Sequence, residues 1–225
     1  MKPVLCIETT TTNCSVAIGD SEGLIDFKEV NSKNYSHAEQ LHVFIQEVLK
    51  NNNLSLSDLS AIAVSKGPGS YTGLRIGVSA AKGLCYASDL PLVAIDTLQS
   101  LAYQSDFDLY TYVVPLLDAR RMDVYSAVFD KDGHKRSPTE AVTLDDSSYK
   151  EQLNQGTVLF IGNATEKWQN SCSHPNAEFQ FTYPSAKEMI ALAIEKIARK
   201  DFENLAYFEP YYLKDFVAKK PKKRS

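Results

Sequence analysis

GPGSYTGLRIG, residues 67–77, is the stretch on which the fold turns. It follows SAIAVS at 60–65, a short apolar run with the length and composition of a buried strand. It leads into a segment with apolar residues at Leu74, Val78, Ala81, Leu84 and Cys85, the spacing of a helix over roughly 72–88. Glycines at 67, 69 and 73 permit positive φ and close backbone approach, while Pro68 stiffens the turn. A glycine loop ahead of a helix N-terminus can hold an anion on its free N–H groups. It is not a P-loop, because no GK[ST] follows. The alternative reading is a tight strand-to-helix turn.

PLVAI at 91–95 supplies the next strand and residues 97–104 a short helix. Towards the N-terminus, residues 2–8 form a buried strand with Val4, Leu5 and Ile7. After a polar loop, Cys14, Val16 and Ile18 alternate with Ser15, Ala17 and Gly19, as in a second strand; residues 23–30 suit a third. Ser36 with Glu39 is a capping box, and Ala38, Leu41, Phe44, Ile45, Val48 and Leu49 follow as one helical stripe. Three antiparallel strands continuing into strand–helix alternation predict an α/β architecture with a mixed sheet.

The second half, from about residue 106, reads as a smaller version of the first. YVVPLLDARRMDVYSAVF looks like two strands joined through Asp118 to Arg121, and Asp132-Gly133 fits a hairpin turn into a further strand. TVLFI at 157–161 is a strand. Ser185 with Glu188 reads as a second capping box, opening a helix with Met189, Ile190, Ala193 and Ile197 on one stripe.

Composition sets the class. The 225 residues are 44% hydrophobic and 23% charged, ordinary for a globular chain of one large domain or two small ones. No apolar run approaches the roughly 18 to 20 residues of a membrane span, and MKPVLCIETT is too short in its apolar part for a signal peptide. None of the four cysteines forms a CxxC pair, so neither a zinc site nor a redox motif is expected. A cytoplasmic protein is the expectation. The net charge is −4, yet five of the last seven residues, KKPKKRS, are basic.

Several motifs invite chemistry. Glu8-Thr9-Thr10-Thr11-Thr12-Asn13 joins two strands, and its hydroxyls and N–H groups suit either a phosphate or a plain turn. The second helix carries Gly77, Ser79, Ala80, Ala81, Gly83 and Ala87, a small-residue face suited to close packing on the chain's own sheet or on a partner. The histidines read as solvated or capping residues, and Asp118, Arg120, Arg121 and Asp123 as a surface ion network. No GxSxG, HExxH or DxD constellation is present.

In this order, LCIETTTTNCSVAI, SHAEQLHVFIQEVL, KGPGSYTGLRIGVSAAKGL, PLVAIDTLQSLA and DARRMDVYSAVF resemble the TsaB (also called YeaZ) family. The match runs from residue 4 to about 130; beyond it only IGN at 161–163 and YYLK at 211–214 look similar. The resemblance implies the ASKHA fold of sugar kinases, actin and chaperone ATPases, with two ribonuclease H-like halves and mixed sheets. Their expected extents are 1–105 and 106–213, with a basic tail at 214–225.

It also implies a non-catalytic subunit without a cofactor or metal, supporting the catalytic paralogue TsaD in making threonylcarbamoyladenosine beside the anticodon of tRNA. TsaE, a small ATPase, is a further implied partner, with tRNA held by the assembly and a homodimer when the chain is alone. TsaD carries an HxxxH metal motif after a PL-containing strand; aligned on Pro91-Leu92, its histidines fall at Thr97 and Leu101. Acidic residues of its N-terminal loop fall at Thr12 and Asn13. The implied interface comprises Leu41, Phe44 and Ile45 with Leu74, Gly77, Val78, Ala80, Ala81 and Leu84. Lys219, Lys220, Lys222, Lys223 and Arg224 are candidate tRNA contacts. The rival is an active ATP-dependent kinase or phosphatase of the same superfamily, with Thr9, Thr10, Gly67 and Gly69 as phosphate clamps. Against it stands the lack of an acidic magnesium ligand at Thr12 or Asn13.

Overall fold

The computed structural model of the chain describes residues 2–32 and 37–213. Strands β1 (Val4–Glu8), β2 (Asn13–Asp20), β3 (Gly23–Asn31), β4 (Ala61–Gly67) and β5 (Leu92–Asp96) form one sheet in the order β3-β2-β1-β4-β5. β1 is antiparallel to β2 and parallel to β4, and β4 is parallel to β5. Every residue of β1 is buried, as a central strand covered on both faces requires. On one face, α1 (His37–Asn51) and α2 (Tyr71–Ser88) bury Leu41, Ile45, Val48, Val78, Ala81 and Cys85 against Leu5, Ile7, Val16 and Ile62. The helix predicted at 36–50 is thus present, although Ser36 of its capping box lies outside the described residues.

The second sheet repeats the plan. It is built from β6 (Tyr112–Asp118), β7 (Asp123–Ser126), β9 (Glu140–Thr143), β10 (Val158–Ile161) and β11 (Ala177–Gln180), in the order β11-β10-β6-β7-β9. The short β8 (Phe129–Asp130) pairs with β6. β6 is antiparallel to β7 and parallel to β10, as β1 is to β2 and β4. Short helices α4 (Lys150–Gln155) and α5 (Glu166–Gln169) cover its outer face around Phe160 and Trp168. Asp132-Gly133 makes the expected turn, with Gly133 at φ +72°, but the chain then forms only an isolated bridge at Lys135, and β9 pairs with β7.

Each half lends a helix to the other. α3 (Thr97–Ala102) follows the first sheet but buries Leu98 and Leu101 with Val113 and Leu117 of β6. α6 (Met189–Ala198) follows the second sheet but packs Met189, Ile190 and Ala193 on Val4, Cys6, Val93 and Ile95. The expected capping box at Ser185–Glu188 is absent. The Ser185 hydroxyl donates to Glu29 Oε2 at 2.8 Å and sits 3.2 Å from Ser15 Oγ, leaving α6 without a side-chain cap. The C-terminal end of β5 lies at the junction of the halves, where Asp96 accepts from Lys135 Nζ at 3.2 Å, and the neighbouring ends of β4 and β1 carry the β4–α2 and β1–β2 loops. Among the described residues no helix is long and apolar enough to cross a membrane.

Candidate functional site

The two glycine- and threonine-rich loops meet at this junction, and they meet each other. Thr9 Oγ1 donates to the Gly73 carbonyl at 2.8 Å, and Ser70 N donates to the Thr10 carbonyl at 2.7 Å. Ser70 caps α2 by accepting from Gly73 N. A Cβ on Gly69, Gly73 or Gly77 would lie under 3.0 Å from Thr10 or Thr9 atoms. These glycines are small because the threonine loop lies against them. Gly67, at φ +112°, leaves room for the Tyr211 carbonyl in the same way. The four candidate phosphate residues are thus brought together, but Thr9 and Thr10 are 2% and 1% exposed. The Ser70 and Gly73 N–H groups that an anion would use already have internal acceptors.

Sequence reasoning missed the groups beneath. Glu8 is completely buried at the end of β1. Its Oε1 accepts from Thr10 N at 2.5 Å and its Oε2 from the Ser65 hydroxyl. Burial pushes this carboxyl above its ordinary range, and those hydrogen bonds oppose the shift. Burial, with the Glu8 charge second, raises the neighbouring Cys14 thiol to about 12. His37, read as a solvated or capping residue, is not solvated but buried: its Nε2 donates to the Thr11 carbonyl at 2.7 Å, and burial pushes the imidazole down. The available signal was a glutamate ending a wholly apolar strand. Asn13, where an acidic ligand was sought, ties β2 to the loop before α6 through Pro184 O at 3.0 Å.

Thr97 and Leu101 lie four apart on α3, both fully buried at the contact between the halves. A hydroxyl and an isobutyl group there offer no imidazole nitrogen to a metal. Asp130, Asp132 and His134 bring ligand atoms within 4.8 Å of one another. Asp130, however, already accepts from Asp132 N, His134 N and Arg136 Nε, so its carboxylate organises the turn.

The nine predicted interface residues separate by depth. Leu41, Ile45, Leu74, Gly77, Val78 and Ala81 are buried in the chain itself. Phe44, Ala80 and Leu84 are half-buried and, with Ile76, line a seam between α1 and α2. Around that seam Val43, Ser79, Gly83 and Tyr86 are exposed, Tyr86 at 84%. Gly83 differs from Gly77: nothing lies within 4 Å of a Cβ built there.

Residues 203–213 form a strap over the β4–α2 side. Glu203 N donates to Leu92 O, Lys82 Nζ to Phe208 O and Tyr211 N to Lys66 O. The Tyr212 ring lies tilted by 39° against Tyr71 at 4.9 Å between centroids, and Arg75 covers the Tyr71 ring at 4.2 Å. Leu213, the last described residue, packs against the core around α3 and β6. Lys219, Lys220, Lys222, Lys223 and Arg224 lie outside the described residues. At the β6–β7 turn, where an ion network was expected, no ion pair joins Asp118 to Arg120 or Arg121 among the described residues. Asp118 pairs with Lys167 at 2.5 Å, Asp123 accepts from the Thr143 hydroxyl at 2.6 Å, and Arg120 and Arg121 have no ion pair among the described residues.

The family TsaD, tRNA N6-adenosine threonylcarbamoyltransferase, matches residues 31–222. The tRNA threonylcarbamoyladenosine biosynthesis protein TsaB of Escherichia coli (strain K12) is 29% identical over 224 residues, covering 96% of each chain. The protein of the same name from Bacillus subtilis (strain 168) is 33% identical over 167 residues, covering 72% of this chain and 71% of that one. The structure of YeaZ from Pseudomonas aeruginosa superposes with a TM-score of 0.82 at 24% identity, covering 95% of this chain and all of that one, which establishes a shared fold.

Proposed function

We propose a function from one premise: this chain belongs to the TsaB (YeaZ) family, within the wider family of TsaD, the tRNA N6-adenosine threonylcarbamoyltransferase. It is a subunit of the machinery that makes threonylcarbamoyladenosine in tRNA, and its part is to bind and support TsaD rather than to catalyse. The observation that carries the non-catalytic reading is the closure of the two loops. The Thr9 hydroxyl, the Thr10 and Gly73 carbonyls and the Ser70 and Gly73 N–H groups are held by contacts within and between the two loops, and the positions aligned with metal-binding histidines are the buried Thr97 and Leu101. A kinase or phosphatase of this fold needs those groups free for a nucleotide.

Docking of TsaD is assigned to the α1–α2 seam, with Phe44, Ile76, Ala80 and Leu84 at its floor and Val43, Ser79, Gly83 and Tyr86 at its rim. A glycine inside an exposed helix costs roughly 1 kcal/mol against alanine, and Gly83 has no neighbour among the described residues to account for it. Close approach of a second helix accounts for it. The same seam serves the homodimer, so self-association and TsaD binding exclude each other. TsaE joins this assembly, which holds tRNA in the cytoplasm.

The test is reconstitution. TsaD and TsaE mixed with this chain should modify tRNA, and omission of the chain should abolish the product. Steady ATP turnover by the isolated chain, abolished on substitution of Thr9, would replace this reading with the kinase one.

A further inference from the structure

The turn between β6 and β7 places arginine at two successive positions whose backbone suits glycine or asparagine: φ is +71° at Arg120 and +52° at Arg121. They are the first two residues of a three-residue connection, 120–122, between the paired Ala119 and Asp123; a Cβ crowds the following carbonyl in this conformation, so glycine and asparagine adopt it at lower cost than arginine. The neighbouring groups hold the turn in place. Arg120 N donates to Asp118 Oδ1 at 2.7 Å, Ala119 N to the Asp123 carbonyl at 3.1 Å, and Asp123 N to the Arg120 carbonyl at 3.0 Å. Asp118 is itself held by Lys167 Nζ and by Asn163, which accepts from its N–H. None of this uses a guanidinium: both arginines are exposed, without an ion pair among the described residues.

We propose that Arg120 and Arg121 form a fixed clamp for RNA phosphates, engaged when the assembled complex holds tRNA. The proposal rests on the subunit reading given above. A locally unfavourable residue pair that persists, with its side chains unused inside the chain, marks a site where function opposes folding preference. The guanidinium is planar and permanently charged, and its fork matches two phosphate oxygens. Location adds a second argument. Leu213 packs into the core cluster that contains Ala119, the residue before the clamp. Lys219 follows six residues later, within a reach of about 20 Å. In a chain of net charge −4, Arg120 thus directly follows one residue of that cluster, and the basic residues from Lys219 onward follow another residue that packs on it.

Free nucleotides carry the same phosphate chemistry, so the test has two arms. The complex of the full chain with TsaD and TsaE is titrated with tRNA over a salt series, and separately with ATP. It is made with the natural chain and with a chain carrying both Arg120→Asn and Arg121→Gly. The variant supplies the residues the turn prefers, so its melting temperature should rise by a few degrees while assembly is unchanged. Removing two phosphate-binding groups should flatten the log–log salt slope of tRNA binding by about 1.4 to 1.8. A fall in melting temperature would make the arginines structural and overturn the proposal. So would a stable variant with an unchanged tRNA slope, or one that loses ATP affinity alone. A natural complex that binds no tRNA at all would refute the functional reading itself, and the clamp with it.

Discussion

Gly73 and Gly83 lie in the same helix, and replacing each by alanine isolates what the threonine loop does to α2. Intrinsic helix preference favours both substitutions by about 1 kcal/mol. At Gly83 nothing lies within 4 Å of the new methyl group, so that gain should appear in full. At Gly73 the methyl would stand under 3.0 Å from the Thr9 carbonyl oxygen, a backbone atom that cannot rotate away. Overpacking of this kind costs about 1–3 kcal/mol. Displacing the loop also strains the bond from Thr9 Oγ1 to the Gly73 carbonyl, worth roughly 1 kcal/mol. Gly73→Ala should therefore be destabilised by about 1–3 kcal/mol after the helix gain is subtracted. The two variants should differ by about 2–4 kcal/mol, and their melting temperatures by roughly 4–16 °C for a chain of this length. Thermal and urea unfolding measure this at a protein concentration low enough to keep the chain monomeric, because self-association shifts apparent stability and Gly83 lies on the proposed seam. If Gly73→Ala stabilises the chain as much as Gly83→Ala, the threonine loop is not what keeps position 73 small.

Three further outcomes follow from the same geometry. Ser79→Arg, on the exposed rim of the seam, should leave circular dichroism and unfolding within about 0.5 kcal/mol of the natural chain and abolish co-elution with TsaD and with itself; a folded variant that still makes both complexes moves the interface elsewhere. The half-buried Ala80, which packs on the chain's own core, is the poorer probe, because a charge there also costs stability. Truncation after Ala218 should weaken tRNA binding by the full complex and flatten its salt slope by about 0.7 to 0.9 for each phosphate that the tail neutralises; an unchanged slope means that the tail meets no phosphate. Glu8 has its carboxyl raised in the folded chain, so the folded state holds the extra proton and stability falls as pH climbs from the unfolded value of 4.5 towards the folded one. Glu8→Gln, measured by urea unfolding from pH 4 to 8, should remove that decline, and an identical pH profile in the two proteins would mean that the group is not protonated when folded.

Most of the first half is legible in the sequence. The strands around Val4, Val16 and Val64 and the helices over 37–51 and 71–88 carry strong periodicity, and their boundaries follow it within a residue or two. The second half is harder to read, because α4, α5 and β11 are only four to six residues long and too short to show a period. Ser185 shows the limit of a local motif. Its spacing to Glu188 satisfies a capping box, yet Glu29, 156 residues away in the chain, takes its hydroxyl. His37 and Glu8 escape a local reading for the same reason, since burial of a polar residue depends on what covers it.

What the sequence determined alone was the alternation of elements, the family resemblance carried by GPGSYTGLRIG and DARR, and the residue types at 97 and 101. These depend on composition and spacing along one chain. Tertiary structure decided why Gly73 and Gly77 are small, which interface residues remain at the surface, and that α3 and α6 are exchanged between halves. It also decided that Arg120 and Arg121 stand in a left-handed turn without an ion pair among the described residues, while Asp118 pairs with Lys167. Those outcomes hinge on atoms brought together from distant parts of the chain, and the excluded volume and hydrogen-bond partners that result have no signature at any single position.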